Sequence, residues 1–284
     1  MYKILNKREL APRIFEMRVE APRIASSALP GQFVIVRTDE KGERIPLTIC
    51  DYDRSEGHIT IVTQIVGRST EKICALAVGD SLADVAGPLG NPSEIVEMDD
   101  EELRRHRWLF VAGGVGTAPV YPQVKWLREH GAEADVVIGA RNKDLFTYVD
   151  EMRRVGNVML CTDDGSEGFH GLVTALMTDL VERQGKSYDR CVIIGPMIMM
   201  KFAARTAVQL GMKTVVSLNA LMVDGTGMCG ACRVTVDGKT RFTCVDGPEF
   251  DGALVDYDEA MRRQAMYRDN KKTAAPDHKC KCHD

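Results

Sequence analysis

Hydrophobic and polar positions divide the chain into a first part with strand patterns and a second part in which strands alternate with helices. The first hundred residues contain short runs rich in Val, Ile, Phe and Thr, at residues 13–20, 32–37 and 58–66. Pro and Gly separate these runs, and no long helical pattern lies between them. Strands at this spacing predict a closed antiparallel barrel or a sandwich. The densely charged residues 97–107 then form an exposed connector.

The pattern changes after residue 107, where short apolar strands alternate with segments of helical periodicity. Strands are predicted at residues 108–112, 134–139, 158–161 and 190–194, with helical spacing at 120–130 and 171–181. This alternation predicts right-handed βαβ units around a parallel sheet. A glycine-rich region, residues 219–252, follows and contains a hairpin pattern around Asp237 and Gly238. The fold class is therefore α/β plus all-β.

Composition and charge exclude several classes of protein. The 284 residues are 44% hydrophobic and 27% charged, as in an ordinary globular protein. With 37 basic against 41 acidic residues the net charge is −4, which gives no basic surplus for nucleic acid or anionic lipid. The longest uncharged stretch, residues 108–123, is interrupted by Gly and Pro and does not suit a membrane span. The first residues lack the apolar core of a signal peptide, so we expect a cytoplasmic protein.

Three of the nine cysteines lie close together behind an aspartate, in the pattern Asp224-x4-Cys229-x2-Cys232-x11-Cys244. Plant-type [2Fe–2S] sites use the spacing C-x4-C-x2-C followed by a distant cysteine. Here the first position is Asp224, whose carboxylate is anionic like a thiolate but harder. A zinc site with three cysteines and a fourth ligand, or reduced thiols beside a turn, are the alternatives. Residues 280–283, Cys-Lys-Cys-His, are either a further metal site or part of a tail.

A glycine turn at residues 113–119 follows the first strand of the second part and reads G-x-G-x-x-P from Gly114. Such glycines allow the backbone to approach a pyrophosphate at the start of the next helix, although a tight turn alone would also explain them. Two more strands end in turn sequences at the same sheet edge, where open α/β sheets bind ligands. The nucleotide-binding candidates are Gly114, Gly116, Thr117, Pro119, Arg141, Asp164, Gly195 and Pro196. Arg141 could meet an adenosine phosphate or be solvated, so the choice between NAD(H) and NADP(H) stays open.

These pieces in this order resemble the ferredoxin–NADP reductase superfamily, in which a flavin-binding barrel precedes a pyridine-nucleotide domain. The C-terminal cysteine region is similar to the branch that holds the electron-transfer subunit of dihydroorotate dehydrogenase and the small subunit of NADH-dependent ferredoxin:NADP oxidoreductase, also called sulfide dehydrogenase. Asp224 favours the latter, which uses one Asp and three Cys as cluster ligands. The resemblance covers about residues 2–267.

The resemblance implies FAD in the barrel and assigns residues to it. Residues 44–49 match the superfamily's flavin-contacting segment, with Pro46, Leu47 and Thr48 at the isoalloxazine and Arg44 as the candidate for a pyrophosphate contact. Gln64, Gly67, Ser69 and Thr70 match the segment at the ribityl chain and pyrophosphate. It also implies four parts: an FAD-binding barrel at residues 1–98, a nucleotide-binding domain at 107–217, a [2Fe–2S] subdomain at 218–256, and a C-terminal helix and tail at 257–284.

The implied function is electron transfer between NAD(P)H and a partner subunit through FAD and a [2Fe–2S] centre. The cofactors supply the redox chemistry, so no side chain is assigned as a catalytic acid or base. The expected partner is a larger flavoprotein with its own FAD and [4Fe–4S] clusters, in a heterodimer that bifurcates electrons and reaches ferredoxin. The alternatives are the electron-transfer subunit of a dihydroorotate dehydrogenase and a regulatory nucleotide-binding module with structural zinc.

Overall fold

A computed structural model describes residues 2–266 of the chain, and its first part is one curled antiparallel sheet. The strands are β1 (Tyr2–Ala11), β2 (Ile14–Glu20), β3 (Phe33–Arg37), β4 (Ile45–Asp53), β5 (His58–Gln64), β6 (Ser81–Leu82) and β7 (Asp84–Leu89). Their order, β6-β1-β2-β5-β4-β3-β7, forms the near-closed barrel that the sequence predicted as one of two all-β arrangements. Two short helices, α1 (Pro22–Ser27) and α2 (Arg68–Ala75), cover it.

The second part is a mainly parallel sheet with helices on both faces. Its elements are α3 (Asp100–Arg105), β8 (Trp108–Gly113), α4 (Thr117–Glu129), β9 (Ala134–Ala140), α5 (Val149–Arg153), β10 (Asn157–Thr162), β11 (Phe169–His170), α6 (Val173–Thr178), β12 (Arg190–Ile194), α7 (Met197–Gln209) and β13 (Lys213–Ser217). The strand order is β11-β10-β9-β8-β12-β13, and Glu249–Asp251 (β16) of the third part completes the sheet beside β13. One hydrophobic core packs on each face of this sheet, so its strands are buried on both sides. The predicted α/β class is therefore confirmed.

The third part is small and is tied to the second. Its hairpin joins β14 (Arg233–Val236) to β15 (Lys239–Phe242) through Asp237 and Gly238, whose φ angles are 52° and 66°. Positive φ at both central residues is the backbone of a type I′ turn. Strand β16 (Glu249–Asp251) then pairs antiparallel with β13, and helix α8 (Tyr257–Ala265) follows. The predicted subdomain at 218–256 thus contributes a strand to the nucleotide-domain sheet.

No helix within residues 2–266 is long and apolar enough to cross a bilayer. The cysteines at 280 and 282 lie outside the described residues.

Candidate functional site

The two glycine motifs of the second part meet at the carboxyl edge of its sheet. A Cβ on Gly116 would lie 2.3 Å from the carbonyl oxygen of Ile194, and a Cβ on Gly195 would lie 3.1 Å from the amide nitrogen of Gly113. The strand ends of β8 and β12 therefore touch backbone to backbone, which requires glycine. Gly114, by contrast, has a φ of +56° and no atom within 4 Å of its Cβ position, so its backbone is open to a ligand.

The remaining nucleotide-binding candidates shape this edge in different ways. Thr117 is buried, and its hydroxyl donates to the carbonyl oxygen of Gly114 at 3.0 Å. Pro119 is half-buried in the first turn of α4, and Pro196 caps the start of α7.

Arg141 and Asp164 are exposed neighbours at this edge, because the amide of Asp164 donates to the carbonyl of Arg141 at 3.2 Å. Hydrogen bonds from the Ser166 hydroxyl and amide lower the pKa of Asp164.

The segment that resembles the flavin contacts forms the first half of β4. Pro46, Leu47 and Thr48 pair with β3, and all three side chains are half-buried. Half-burial leaves part of each side chain available to a flat ligand, in contrast with the buried residues that follow in the same strand. Gln64 is exposed at the end of β5.

Helix α2 starts four residues after β5 ends, and hydrogen bonds fix its first turn. The Thr70 hydroxyl oxygen accepts from the amides of Val66 and Gly67 at 2.9 and 3.1 Å, which fixes the first turn. The Ser69 hydroxyl donates to the Glu43 carboxylate. The N-terminal end of a helix favours negative charge, so this turn fits the phosphate groups that the sequence assigned to it.

The side chain of Arg44 extends from the barrel to the third part of the chain. Its Nη1 lies 3.6 Å from the Asp84 carboxylate, and its Nη2 donates to the backbone carbonyl of Asp224 at 3.4 Å. Its Nε is buried and has no hydrogen-bond partner within the described residues. The flavin contact that the resemblance assigns to Arg44 stays a prediction. The structure adds a contact with the cysteine loop, which comprises residues 224–232 and the adjoining Cys244.

The four candidate cluster ligands form two close pairs. The Sγ atoms of Cys232 and Cys244 are 3.3 Å apart and both residues are buried, whereas Cys229 is exposed. The Asp224 carboxylate accepts from the amides of Thr226 and Cys229 at 2.9 and 3.0 Å. These hydrogen bonds, led by that of Thr226, lower the pKa of Asp224, and burial raises the pKa of Cys244 to about 12.

This donor set fits a two-iron centre. A [2Fe–2S] centre takes two protein ligands on each iron, and the loop supplies four donors in two pairs, of which the three thiols would bind iron as thiolates. Three glycines of the loop, Gly225, Gly227 and Gly230, have φ angles of 78°, 85° and 67°, so the backbone can wrap a cluster. Within residues 2–266 no group of three or more His, Cys, Asp or Glu side chains is arranged to hold a single metal ion.

The cysteine loop packs directly on the barrel. A Cβ on Gly225 would lie 2.8 Å from Ile35 and 3.0 Å from Leu89, on strands β3 and β7. One hydrophobic cluster contains Phe33 and Ile35 of the barrel together with Met222, Cys232 and Cys244. The strand that pairs with the flavin segment therefore touches the loop that carries the candidate ligands.

Two acidic side chains, the buried Glu16 and the half-buried Glu249 with its buried Oε2, were not predicted from the sequence to form these contacts. Glu249 accepts a hydrogen bond from the amide of Gln123 at 2.6 Å, and burial raises its pKa to about 7. Glu16 of the barrel binds Arg8 at 2.8 Å and the Tyr148 hydroxyl of the second part. The sequence around these charged residues does not indicate which residues they contact in the fold. For Glu16, the contact with Arg8 follows from the antiparallel register of β1 and β2, in which the two residues are paired.

Fold and site together define a reductase of the ferredoxin–NADP reductase type with a C-terminal cysteine loop. Structures only 16% identical, among them a cytochrome P450 reductase from Amycolatopsis with a TM-score of 0.61, share the fold. A solved structure described as the NADH-dependent reduced ferredoxin–NADP oxidoreductase, in a study of flavin-based electron bifurcation, is far more similar. It is 44% identical with a TM-score of 0.88, covering 96% of this chain and 95% of that one.

Sequence relatives identify the family. Residues 219–256 match the model of the iron–sulfur cluster binding domain of dihydroorotate dehydrogenase B. A Thermotoga maritima homologue of the dihydroorotate dehydrogenase B (NAD(+)) electron transfer subunit is 46% identical, covering 95% of this chain and 93% of the relative. The corresponding subunit of Fusobacterium nucleatum is 30% identical over 85% of this chain and 92% of its own length. The chain belongs to the family of dihydroorotate dehydrogenase B electron-transfer subunits and their homologues, and the resemblance seen in the sequence is confirmed.

Proposed function

We propose that this chain is an electron-transfer subunit that carries FAD and a [2Fe–2S] centre and moves electrons between NAD(H) and a larger partner subunit. The contact between the barrel and the cysteine loop supports this most strongly. Gly225 of the loop lies against β3 and β7, and Arg44, two residues before Pro46, reaches the backbone of Asp224. A flavin on β4 and a cluster in the loop would thus belong to adjoining surfaces.

The chain's own residues bind and orient the cofactors. The open backbone at Gly114 and the start of α4 would receive the dinucleotide pyrophosphate, while Gly116 and Gly195 keep the two strand ends close enough to form that edge. Pro46, Leu47 and Thr48 would contact the flavin ring, and the start of α2 its pyrophosphate. Bound FAD would supply the exchange between two-electron chemistry at the nicotinamide and one-electron chemistry at the iron–sulfur centre. No proton transfer is assigned to a side chain.

The finer assignment is a subunit of a bifurcating ferredoxin:NADP oxidoreductase. It is supported by Asp224 at the first ligand position and by the 44% identity with the solved NADH-dependent enzyme. In this assignment the larger partner carries the second active site and passes electrons to ferredoxin. The four predicted parts, residues 1–98, 107–217, 218–256 and 257–284, would then correspond to flavin, nucleotide, cluster and C-terminal segments.

A second candidate is the electron-transfer subunit of a dihydroorotate dehydrogenase. The match of residues 219–256 to the cluster-binding domain of that enzyme favours it. The two candidates share cofactors and differ in the large subunit, because one partner must oxidise dihydroorotate and the other must exchange electrons with NADP(H) and ferredoxin.

Anaerobic purification of the native complex tests these assignments. The proposal predicts flavin and cluster absorption, two irons and two acid-labile sulfides per chain, bleaching by NADH, and a larger copurifying subunit identified by mass. Reduction of the complex by dihydroorotate would select the second candidate, and reduction by NADPH the first. A colourless protein that contains zinc and no flavin would contradict both and support the regulatory zinc module.

A further inference from the structure

Arg44 joins two parts of the chain that are 180 residues apart in sequence. Its guanidinium lies between the Asp84 carboxylate, at 3.6 Å, and the backbone carbonyl of Asp224, at 3.4 Å. The side chain is 35% exposed, and its Nε is buried without a partner within the described residues. The position of this charge is therefore set by contacts on both sides.

The cysteine loop cannot move far from this guanidinium, because other contacts hold it on the barrel. Gly225 packs on Ile35 and Leu89. On the other side of the loop, the Asn91 side-chain amide donates to the carbonyl of Val245 at 3.2 Å, next to Cys244. Among these contacts of the barrel with the loop, that of Arg44 brings a positive charge.

A positive charge at this place has a direct electrostatic consequence. Three thiolates and one carboxylate give the candidate site four negative protein ligands, and each electron that the site accepts adds one more negative charge. Nearby cations and hydrogen bonds favour the more negative state and so raise the reduction potential of an iron–sulfur site. Asp84 reduces this effect because its carboxylate faces the same guanidinium.

We propose that Arg44 is a positioning residue of the iron–sulfur centre, which fixes Asp224 through its backbone carbonyl and raises the reduction potential of the centre by its charge. The inference rests on the proposed function, since it requires a cluster at Asp224, Cys229, Cys232 and Cys244. It assigns Arg44 to the cluster loop, whereas the superfamily resemblance assigns it to flavin.

The test is an EPR-monitored redox titration of the native complex with three variants. Arg44→Gln keeps a hydrogen-bond donor and removes the charge, Arg44→Lys keeps the charge, and Asp84→Asn removes the opposing carboxylate. We expect Arg44→Gln to lower the ratio of reduced to oxidised cluster at a fixed potential by roughly three- to tenfold, about 30–60 mV for a one-electron couple. Arg44→Lys should stay near the wild type, and Asp84→Asn should shift the potential in the positive direction.

Flavin and iron contents separate the possible outcomes. An unchanged cluster potential in an Arg44→Gln protein with full iron would overturn the proposal, and loss of FAD with an unchanged potential would assign Arg44 to flavin instead. If Arg44→Gln does not retain iron, Asp84→Asn decides, because an unchanged potential there overturns the role of the charge. Absence of iron and sulfide from the wild type would instead refute the proposed function.

Discussion

Glu249 places a carboxyl group where the barrel, the parallel sheet and the cysteine region meet. Its Oε1 accepts from Gln123 of α4 at 2.6 Å and would lie 3.3 Å from a Cβ on Gly31 of the barrel. Its Oε2 is buried without a partner within the described residues. Burial disfavours the charged form and raises the pKa of Glu249 from 4.5 to about 7.

The raised pKa makes the stability of the fold depend on pH. Between pH 4.5 and 7 the folded protein keeps a proton on Glu249 that the unfolded chain has released, so the free energy of unfolding falls as pH rises through this window. The full stabilisation of the folded protein by this proton is present below pH 4.5, and it is lost above about pH 7. At 1.36 kcal/mol per pKa unit it amounts to about 3 kcal/mol, of which about 2.5 kcal/mol falls between about pH 5 and about pH 8.

Urea unfolding of the holoprotein, followed by fluorescence of Trp108 and Trp126, measures this effect. Glu249→Gln has nearly the same shape and no charge, so its free energy of unfolding should rise by about 2–3 kcal/mol relative to the wild type between about pH 5 and about pH 8. The exposed Glu133→Gln is the matched control, for which the difference from the wild type should be the same at both pH values. If the free energy of unfolding of Glu249→Gln differs from that of the wild type by the same amount at both pH values, the reasoning is refuted.

Three further substitutions test other parts of the structure. Arg8→Ala removes the cation 2.8 Å from the buried Glu16 carboxylate and should lower the free energy of unfolding by about 2–4 kcal/mol; equal denaturation midpoints would contradict the pairing. Gly116→Ala would place a Cβ 2.3 Å from the carbonyl oxygen of Ile194, so NADH binding measured by fluorescence titration should weaken at least about tenfold. Unaltered affinity would show that the glycine turn does not form the nucleotide site, provided that flavin and iron contents match the wild type. Asp224→Cys should retain iron and change the EPR signature of the cluster, because a thiolate replaces a harder carboxylate; an unchanged signature would remove Asp224 from the ligand set.

The strands that the sequence predicted are those whose apolar residues dominate. Strand β12 was predicted with its observed bounds, and β3 within one residue, because both are rich in Val and Ile. Strand β1 was not predicted, since only Ile4 and Ala11 of its ten residues are buried and most others are polar. It forms because β2 supplies the pairing edge, which is a tertiary effect.

Candidate site residues could be proposed from the sequence where the constraint is local to the backbone. Glycine turns after strands and the ligand spacing of the cysteine loop are visible in a few consecutive residues. Contacts between residues that are distant in sequence cannot be read from a few consecutive residues, because they depend on how the three parts pack. Arg44 with Asp224, 180 positions apart, and Gln123 with Glu249, 126 apart, are of this kind.

Strand β4 and helix α4 connect the candidate cofactor sites to one another. Strand β4 carries the flavin segment that starts at Pro46 and, further along, Asp51, whose carboxylate binds Lys125 of α4 at 2.8 Å. Helix α4 begins at the glycine turn that would hold the nucleotide pyrophosphate. Because one strand and one helix position both candidate surfaces, the separation of the proposed nicotinamide and flavin sites would be set by regular structure and not by loops. Hydride transfer requires such a fixed separation, since a misplacement of about 1 Å can cost about a hundredfold in rate.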